Sequence, residues 1–171
     1  PRPIASLTKI LTAFEAMSTE FSLKKTSVFD EKKQAAEGNP LNLKNGDKIK
    51  NHDLLYGMLI SSANNASRII AQNSGLSEDD FIKNINVRLQ NWGADNTVIV
   101  DSSGLSEKNV SSPRDLLKIF TKVLNNADIK NALGLKNYKF TKITGNKTIT
   151  QTLTNTNKLL TSSSADYKVL A

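Results

Sequence analysis

A mainly helical α+β fold is what this 171-residue chain predicts, and three observations carry the prediction. Apolar residues recur at three- and four-residue spacing through most of the chain, the period of helices with one buried stripe. The last third changes to alternation of Thr or Lys with apolar residues around Gly145-Asn146, the pattern of a β-hairpin. The length fits a single domain, and a hydrophobic content of 38% is enough to bury a core.

The elements follow in order. Ile4, Leu7, Leu11 and Phe14 stand at helical spacing, so a helix over about 6–17 buries that stripe and holds Ser6 in its first turn. Residues 27–30 and 41–43 read as short extended pieces punctuated by Gly38, Pro40 and Asn45-Gly46. A helix opens near Asn51, runs through Leu54, Leu55, Met58 and Leu59, and stops around Ser61-Ser62. The next spans 65–73 with Ala66, Ile69 and Ile70 inward and Gly75 as its stop. Ser77 caps a further helix, whose acidic start Glu78-Asp79-Asp80 suits the positive end of the helix dipole. Its stripe is Phe81, Ile85, Leu89 and Trp92, and Gly93 ends it. Residues 97–100 suggest a short strand. Ser112-Pro113, a cap followed by proline at the first helical position, starts a helix with Leu116, Leu117, Phe120 and Val123 as its buried side. Residues 138–143 and 147–153 form the two arms of the hairpin.

Composition narrows the chemistry. With no cysteine, disulfides, zinc–thiolate sites and a cysteine nucleophile are excluded together. The formal net charge of +7 is compatible with an anionic partner. Yet the basic residues are scattered among Asn, Thr and Ser without interleaved aromatics, so a solvated surface is expected and nucleic acid is not a predicted partner. The longest apolar run, residues 54–60, falls well short of the roughly 18 residues that cross a bilayer. The chain opens at Pro1 with no leader sequence, and is expected to be a processed or excised piece.

Two short motifs carry chemistry. Ser6-Leu7-Thr8-Lys9 places an amine one helical turn from a hydroxyl, a nucleophile beside a base. At a helix start the backbone N–H groups also point outward and can stabilise a developing oxyanion. The plainer alternative is a capping Ser6 and a solvated Lys9. A second Ser-x-x-Lys, Ser22 to Lys25, lies in a polar stretch where nothing would perturb a lysine, and is read as surface. Ser62-Ala63-Asn64, between two apolar helices, taken alone is an ordinary helix cap. Together with Ser6 and Lys9 it completes two of the three elements of the active-site serine pattern Ser-x-x-Lys, Ser-x-Asn and Lys-Thr-Gly.

Here the chain resembles the low-molecular-mass penicillin-binding D-alanyl-D-alanine carboxypeptidases, relatives of the serine β-lactamases. Residues 3–9 look like that family's nucleophile segment. Gly46-Asp47 followed by 53–59 is similar to the approach to its second motif. Asn86, Gly93, Thr97, Ser103-Gly104-Leu105, Ser112 and Asp115-Leu116 fit the stretch after it. Residues 155–160 are similar to the segment upstream of the third motif. That third motif is absent: the only near-copy, Lys142-Ile143-Thr144-Gly145, has an extra residue and precedes 155–160, and the chain ends about where Lys-Thr-Gly would come.

The resemblance implies the helical lobe of a transpeptidase-like catalytic domain across 1–171, with the flanking strands of the main sheet missing. It implies a serine D-Ala-D-Ala carboxypeptidase of the bacterial envelope, acylated by peptidoglycan peptides and by β-lactams, with no cofactor and no metal. Ser6 would be the nucleophile and Lys9 its base, with a pKa depressed by desolvation and neighbouring cations. Ser62 would relay a proton to the leaving D-Ala, and Asn64 would hold Lys9 and the peptide. The isolated piece is expected to be inactive, since one oxyanion donor and the cation for the substrate carboxylate belong to the missing strand.

Other readings fare less well. A Ser-His-Asp hydrolase would need His52, but Asp53 is adjacent to it and the two cannot align as base and orienter. A β-lactamase would want a deacylating Glu after the second motif, whereas Glu37 precedes it and is out of register. A transpeptidase shares every residue named. A non-catalytic wall-binding module fits the missing third motif but not the intact Ser6, Lys9, Ser62 and Asn64.

Overall fold

A computed structural model describes residues 1–161. The expected continuation toward Lys-Thr-Gly at Val169-Leu170-Ala171 lies outside the described residues.

The fold is organised around helix α3 (Asn51–Ser61), in which Leu54, Leu55, Met58 and Ile60 are fully buried. A helix apolar on all sides belongs inside, and this one is packed by its neighbours α1 (Thr8–Ala16), α4 (Asn64–Gln72) and α7 (Ala127–Gly134). Gly57 lets Leu41 lie against α3: a Cβ there would come within 2.6 Å of a Leu41 methyl. Helix α5 (Glu78–Asn91) brings Phe81, Ile85 and Leu89 to the core. Its cap is the expected one, Ser77 Oγ accepting from the Asp80 N–H, and α6 (Pro113–Val123) is capped likewise by Ser112.

A four-stranded antiparallel sheet of order β2-β3-β5-β6 covers one side. Its members are β2 (Thr26–Val28), β3 (Lys48–Lys50), β5 (Asn137–Thr144) and β6 (Lys147–Thr154). The Thr144↔Lys147 pair closes the expected hairpin, with Gly145 at φ +56° in its turn. Ile49, Phe140 and Leu153 point into the core. A two-stranded ribbon ties β1 (Arg2–Pro3) to β4 (Val110–Ser111) and fixes where the chain enters α1.

Several local expectations are corrected. Leu117 is 70% exposed, because it lies two residues from Ile119, roughly 200° around α6 from the buried Ile119–Val123 line. Leu7 is exposed because it sits in a 3-10 turn, Ala5–Leu7, that precedes α1. Residues 41–43 are a turn rather than a strand, with Asn42 at φ +48° and the Asn39 side chain bonded both to and from the Leu43 backbone. Residues 97–100 make one isolated bridge, Val98↔Val110, and no strand. Helices α2 (Glu31–Gln34) and α7 and strands β1, β3 and β4 were not anticipated.

Candidate active site

Ser6 stands in the 3-10 turn ahead of α1, and Ala5 before it takes φ +46°, a left-handed conformation unusual for a residue with a side chain. Lys9, one turn on, is 2% exposed. Its ammonium donates to Ser6 Oγ at 3.1 Å and to the Ser103 carbonyl at 2.6 Å. Ser62 caps α3 in the left-handed region at φ +59° and donates from Oγ to Ser6 Oγ at 2.7 Å. The Ser6 oxygen thus accepts from a buried lysine on one side and a second hydroxyl on the other.

Burial lowers the Lys9 pKa from 10.5 to about 8, against a smaller opposing pull from the Asp101 carboxylate. The expected neighbouring cations are not what depresses it; desolvation is. A lysine in this range is part neutral near neutral pH, with a lone pair free to take the Ser6 proton.

Asn64 departs from its expected contact. Its amide N–H donates to the Glu37 carbonyl at 2.7 Å, while Lys9 is satisfied by Ser6 and Ser103. The cause is local: Asn64 is the first residue of α4 and faces the loop at Gly38, whose carbonyl accepts the Asn64 N–H.

A cavity of about 360 Å³ opens beside Ser6, Lys9 and Ser62. Its walls are largely apolar, with Leu7, Leu59, Phe120 and Leu133, while Asn155 and Asn157 supply amides. Asn155 is locked in place by donating to the Leu133 and Leu135 carbonyls. Among the described residues no group of three His, Cys, Asp or Glu could hold a metal ion.

The decoys separate cleanly. Lys142 of the near-copy Lys-Ile-Thr-Gly is buried under the sheet in an ion pair with Asp47 at 2.9 Å and donates to the Asn42 carbonyl. Lys25 is exposed, and the Ser22 carbonyl is taken by the Asn51 amide. His52 lies in the first turn of α3. It stacks on Tyr56 with centroids 4.1 Å apart, at the far end of α3, about 15 Å along the axis from Ser62.

Sequence reasoning missed the loop that closes the site from behind. One carboxylate, Asp101, accepts from the N–H groups of Ser103, Gly104 and Ser106 and from Ser103 Oγ, at 2.7–2.9 Å. Burial opposes its ionisation, but these bonds outweigh it and hold its pKa below the ordinary range. The run Asp-Ser-Ser-Gly is a legible turn signal, with nothing in it that says which lysine the turn faces.

The sequence profile of the D-alanyl-D-alanine carboxypeptidase family matches residues 1–170. The chain belongs to that family. Its members act on peptidoglycan peptides ending in D-Ala-D-Ala and bind β-lactams. A D-alanyl-D-alanine endopeptidase of Haemophilus influenzae is 34% identical over 160 residues, which cover 93% of this chain and 53% of that protein. The chain thus spans about half the length of that relative. The crystal structure of a Streptomyces DD-transpeptidase superposes with a TM-score of 0.85 at 28% identity, covering 95% of this chain and 68% of that one. A D-alanyl-D-alanine carboxypeptidase from Mycobacterium tuberculosis superposes with a TM-score of 0.82 at 28% identity, covering 95% of this chain and 61% of its own. The architecture is that of the penicillin-binding fold, in a mainly helical α+β portion.

Proposed function

We propose that residues 1–171 are part of a transpeptidase-like catalytic domain that works as a serine D-alanyl-D-alanine carboxypeptidase, through an acyl-enzyme on Ser6. The observation that carries the reading is the Lys9–Ser6–Ser62 chain, in which a buried, partly neutral amine and a second hydroxyl converge on one exposed serine oxygen. Lys9 takes the Ser6 proton as Oγ attacks the carbonyl between the two terminal D-alanines. The C–N bond then breaks, and the proton passes through Ser62 to the departing D-Ala amine. The Ser6 N–H, in the 3-10 turn ahead of α1, would steady the oxyanion. Asn64, whose amide oxygen has no hydrogen-bond partner among the described residues, is left to receive the substrate peptide. Water then releases the shortened stem peptide. The peptides lie outside the cytoplasmic membrane, so the envelope is the proposed location.

A second reading draws on the relatives. Three of them, 32–34% identical, are named D-alanyl-D-alanine endopeptidases. The same acylation would then fall on an amide within a cross-link instead of a terminal one.

The experiment uses the full-length protein. Incubation with a β-lactam followed by peptide mass spectrometry is expected to place the adduct on the peptide containing Ser6. An adduct on Ser22 or Ser62 overturns the assignment. Free D-alanine from a peptide ending in D-Ala-D-Ala supports the carboxypeptidase, and cleavage of a cross-linked dimer without D-alanine release supports the endopeptidase.

A further inference from the structure

We propose that Asp101 is a positioning residue for the base of the reaction: it folds the 101–106 loop so that the Ser103 carbonyl holds the Lys9 amine against Ser6. The inference rests on the acyl-enzyme reading above and adds to it a residue that never touches the substrate.

Three features support it. First, the carbonyl that receives the Lys9 bond belongs to a loop whose N–H groups converge on one carboxylate. Asp101 Oδ1 accepts from the Ser103 and Gly104 N–H groups and Ser103 Oγ, and Oδ2 accepts from the Ser106 N–H. Second, this loop is pressed onto the nucleophile turn with no slack. Gly104, at φ +82°, lies so close that a Cβ would fall 2.0 Å from the Ala5 carbonyl oxygen and 3.0 Å from Thr8 Oγ1. Third, the loop is stitched to α1 on both sides of Lys9. Buried Asn109 accepts from the Val100 and Asp101 N–H groups while donating to Thr8 Oγ1 and the Asp101 carbonyl, and Thr12 Oγ1 donates to the Ser102 carbonyl. A shift in the loop is therefore a shift in the base.

The carboxylate also acts through its charge. Among the described residues, the cavity wall around Lys9, drawn from α1, α3, α6, α7 and residues 155–157, carries no other ionisable side chain. From the loop side the facing charge is Asp101, with Lys33, Arg68 and Glu78 sharing the surface depression behind it. Asp101 stabilises the Lys9 ammonium and so works against the desolvation that frees the lone pair.

The test uses the full-length protein and Asp101→Asn, which keeps an amide oxygen for the Ser103 and Gly104 N–H groups and removes the charge. Acylation by a chromogenic β-lactam is followed against pH. The rising limb, set by Lys9 losing its proton, is expected to move to lower pH by about one unit, with a plateau rate reduced about tenfold or more. Asp101→Glu, with the charge kept and the loop displaced, should lose plateau rate with little movement of the limb. A limb that stays in place in Asp101→Asn, or a plateau equal to wild type, overturns the inference. NMR titration of the Lys9 side chain gives the same shift without reference to turnover. If the wild type is never acylated, the functional reading fails, while an unmoved Lys9 titration in Asp101→Asn separately sinks this one.

Discussion

Ser62 and Ser6 are 56 residues apart in the chain and 2.7 Å apart at their hydroxyl oxygens, and a backbone twist makes the contact. Helix α3 ends with Ser62 in the left-handed region, which turns its side chain off the helix and back toward the start of α1. The turn that brings the two hydroxyls together is the same turn that stops a helix.

Helix-ending and proton transfer can be separated at this position. Ser62→Gly keeps the left-handed turn, which glycine adopts without penalty, and removes the hydroxyl. Acylation by a β-lactam is expected to fall about 10²-fold or more, the scale of a lost proton relay. Thermal unfolding should stay close to wild type. A variant that acylates at the wild-type rate would show that Ser62 serves only as a cap.

Lys9 links activity to stability. Its pKa is about 8 folded against 10.5 in an unfolded chain, so between those values the unfolded state binds more protons and stability rises with pH. Below pH 8 both states are charged and the folded state bears the whole cost, about 3 kcal/mol by this shift. Lys9→Met removes the titration. Its stability relative to wild type, from denaturant unfolding, is expected to be greater at pH 7 than at pH 10.5, while acylation is abolished at both. Equal relative stability at the two pH values would contradict a desolvated Lys9.

The helices were legible because their caps and periods are local: Ser77, Ser112-Pro113 and the Phe81–Ile85–Leu89 line needed no partner to be read. The hairpin was legible for the same reason. Pieces that exist only through long-range pairing were not, such as the three residues of β3, held between β2 and β5. At the site, Ser6 and Lys9 announce themselves by spacing, and Ser62 by its company with Asn64. The supporting carbonyl of Ser103 comes from 94 residues away and has no side-chain signature, so only the folded chain discloses it. The near-copy Lys142-Ile143-Thr144-Gly145 is already set aside by its extra residue and its place before 155–160, and strand alternation turns Lys142 inward, to Asp47.

Close approach at Gly104 makes a sharp test of how tightly the loop sits on the turn that carries Ser6. Gly104→Ala puts a Cβ against the Ala5 backbone and strains a φ of +82°. Overpacking of about 1–3 kcal/mol and strain of about 1–3 kcal/mol act together, and acylation should drop with stability. Gly46 has the same φ of +82° with nothing within 4 Å, so Gly46→Ala isolates the strain. It should lose about 1–2 kcal/mol and keep its acylation rate per folded molecule. Similar losses in the two variants would mean that the loop yields.

The buried Lys142–Asp47 pair should govern stability and leave the chemistry alone. Lys142→Met strands a carboxylate that is 1% exposed, and removing one partner of such a pair typically costs about 3–5 kcal/mol. Replacing both, with Asp47→Leu added, should recover most of that loss, since an apolar pair of similar volume carries no desolvation cost. The Asp47 pKa is held below its ordinary 3.8: burial opposes this, and the Lys142 and Lys44 bonds outweigh it. Its contribution is therefore complete above pH 3.8 and is lost as pH falls below it. Denaturant unfolding of wild type across that range, set beside the double variant, reads this out: the wild type should lose more stability on acidification than the double variant does. Acylation of Ser6, measured per folded molecule, should be the same in all three proteins. A selective loss of acylation in Lys142→Met would place this lysine in the reaction after all, against its inward-facing position on β5.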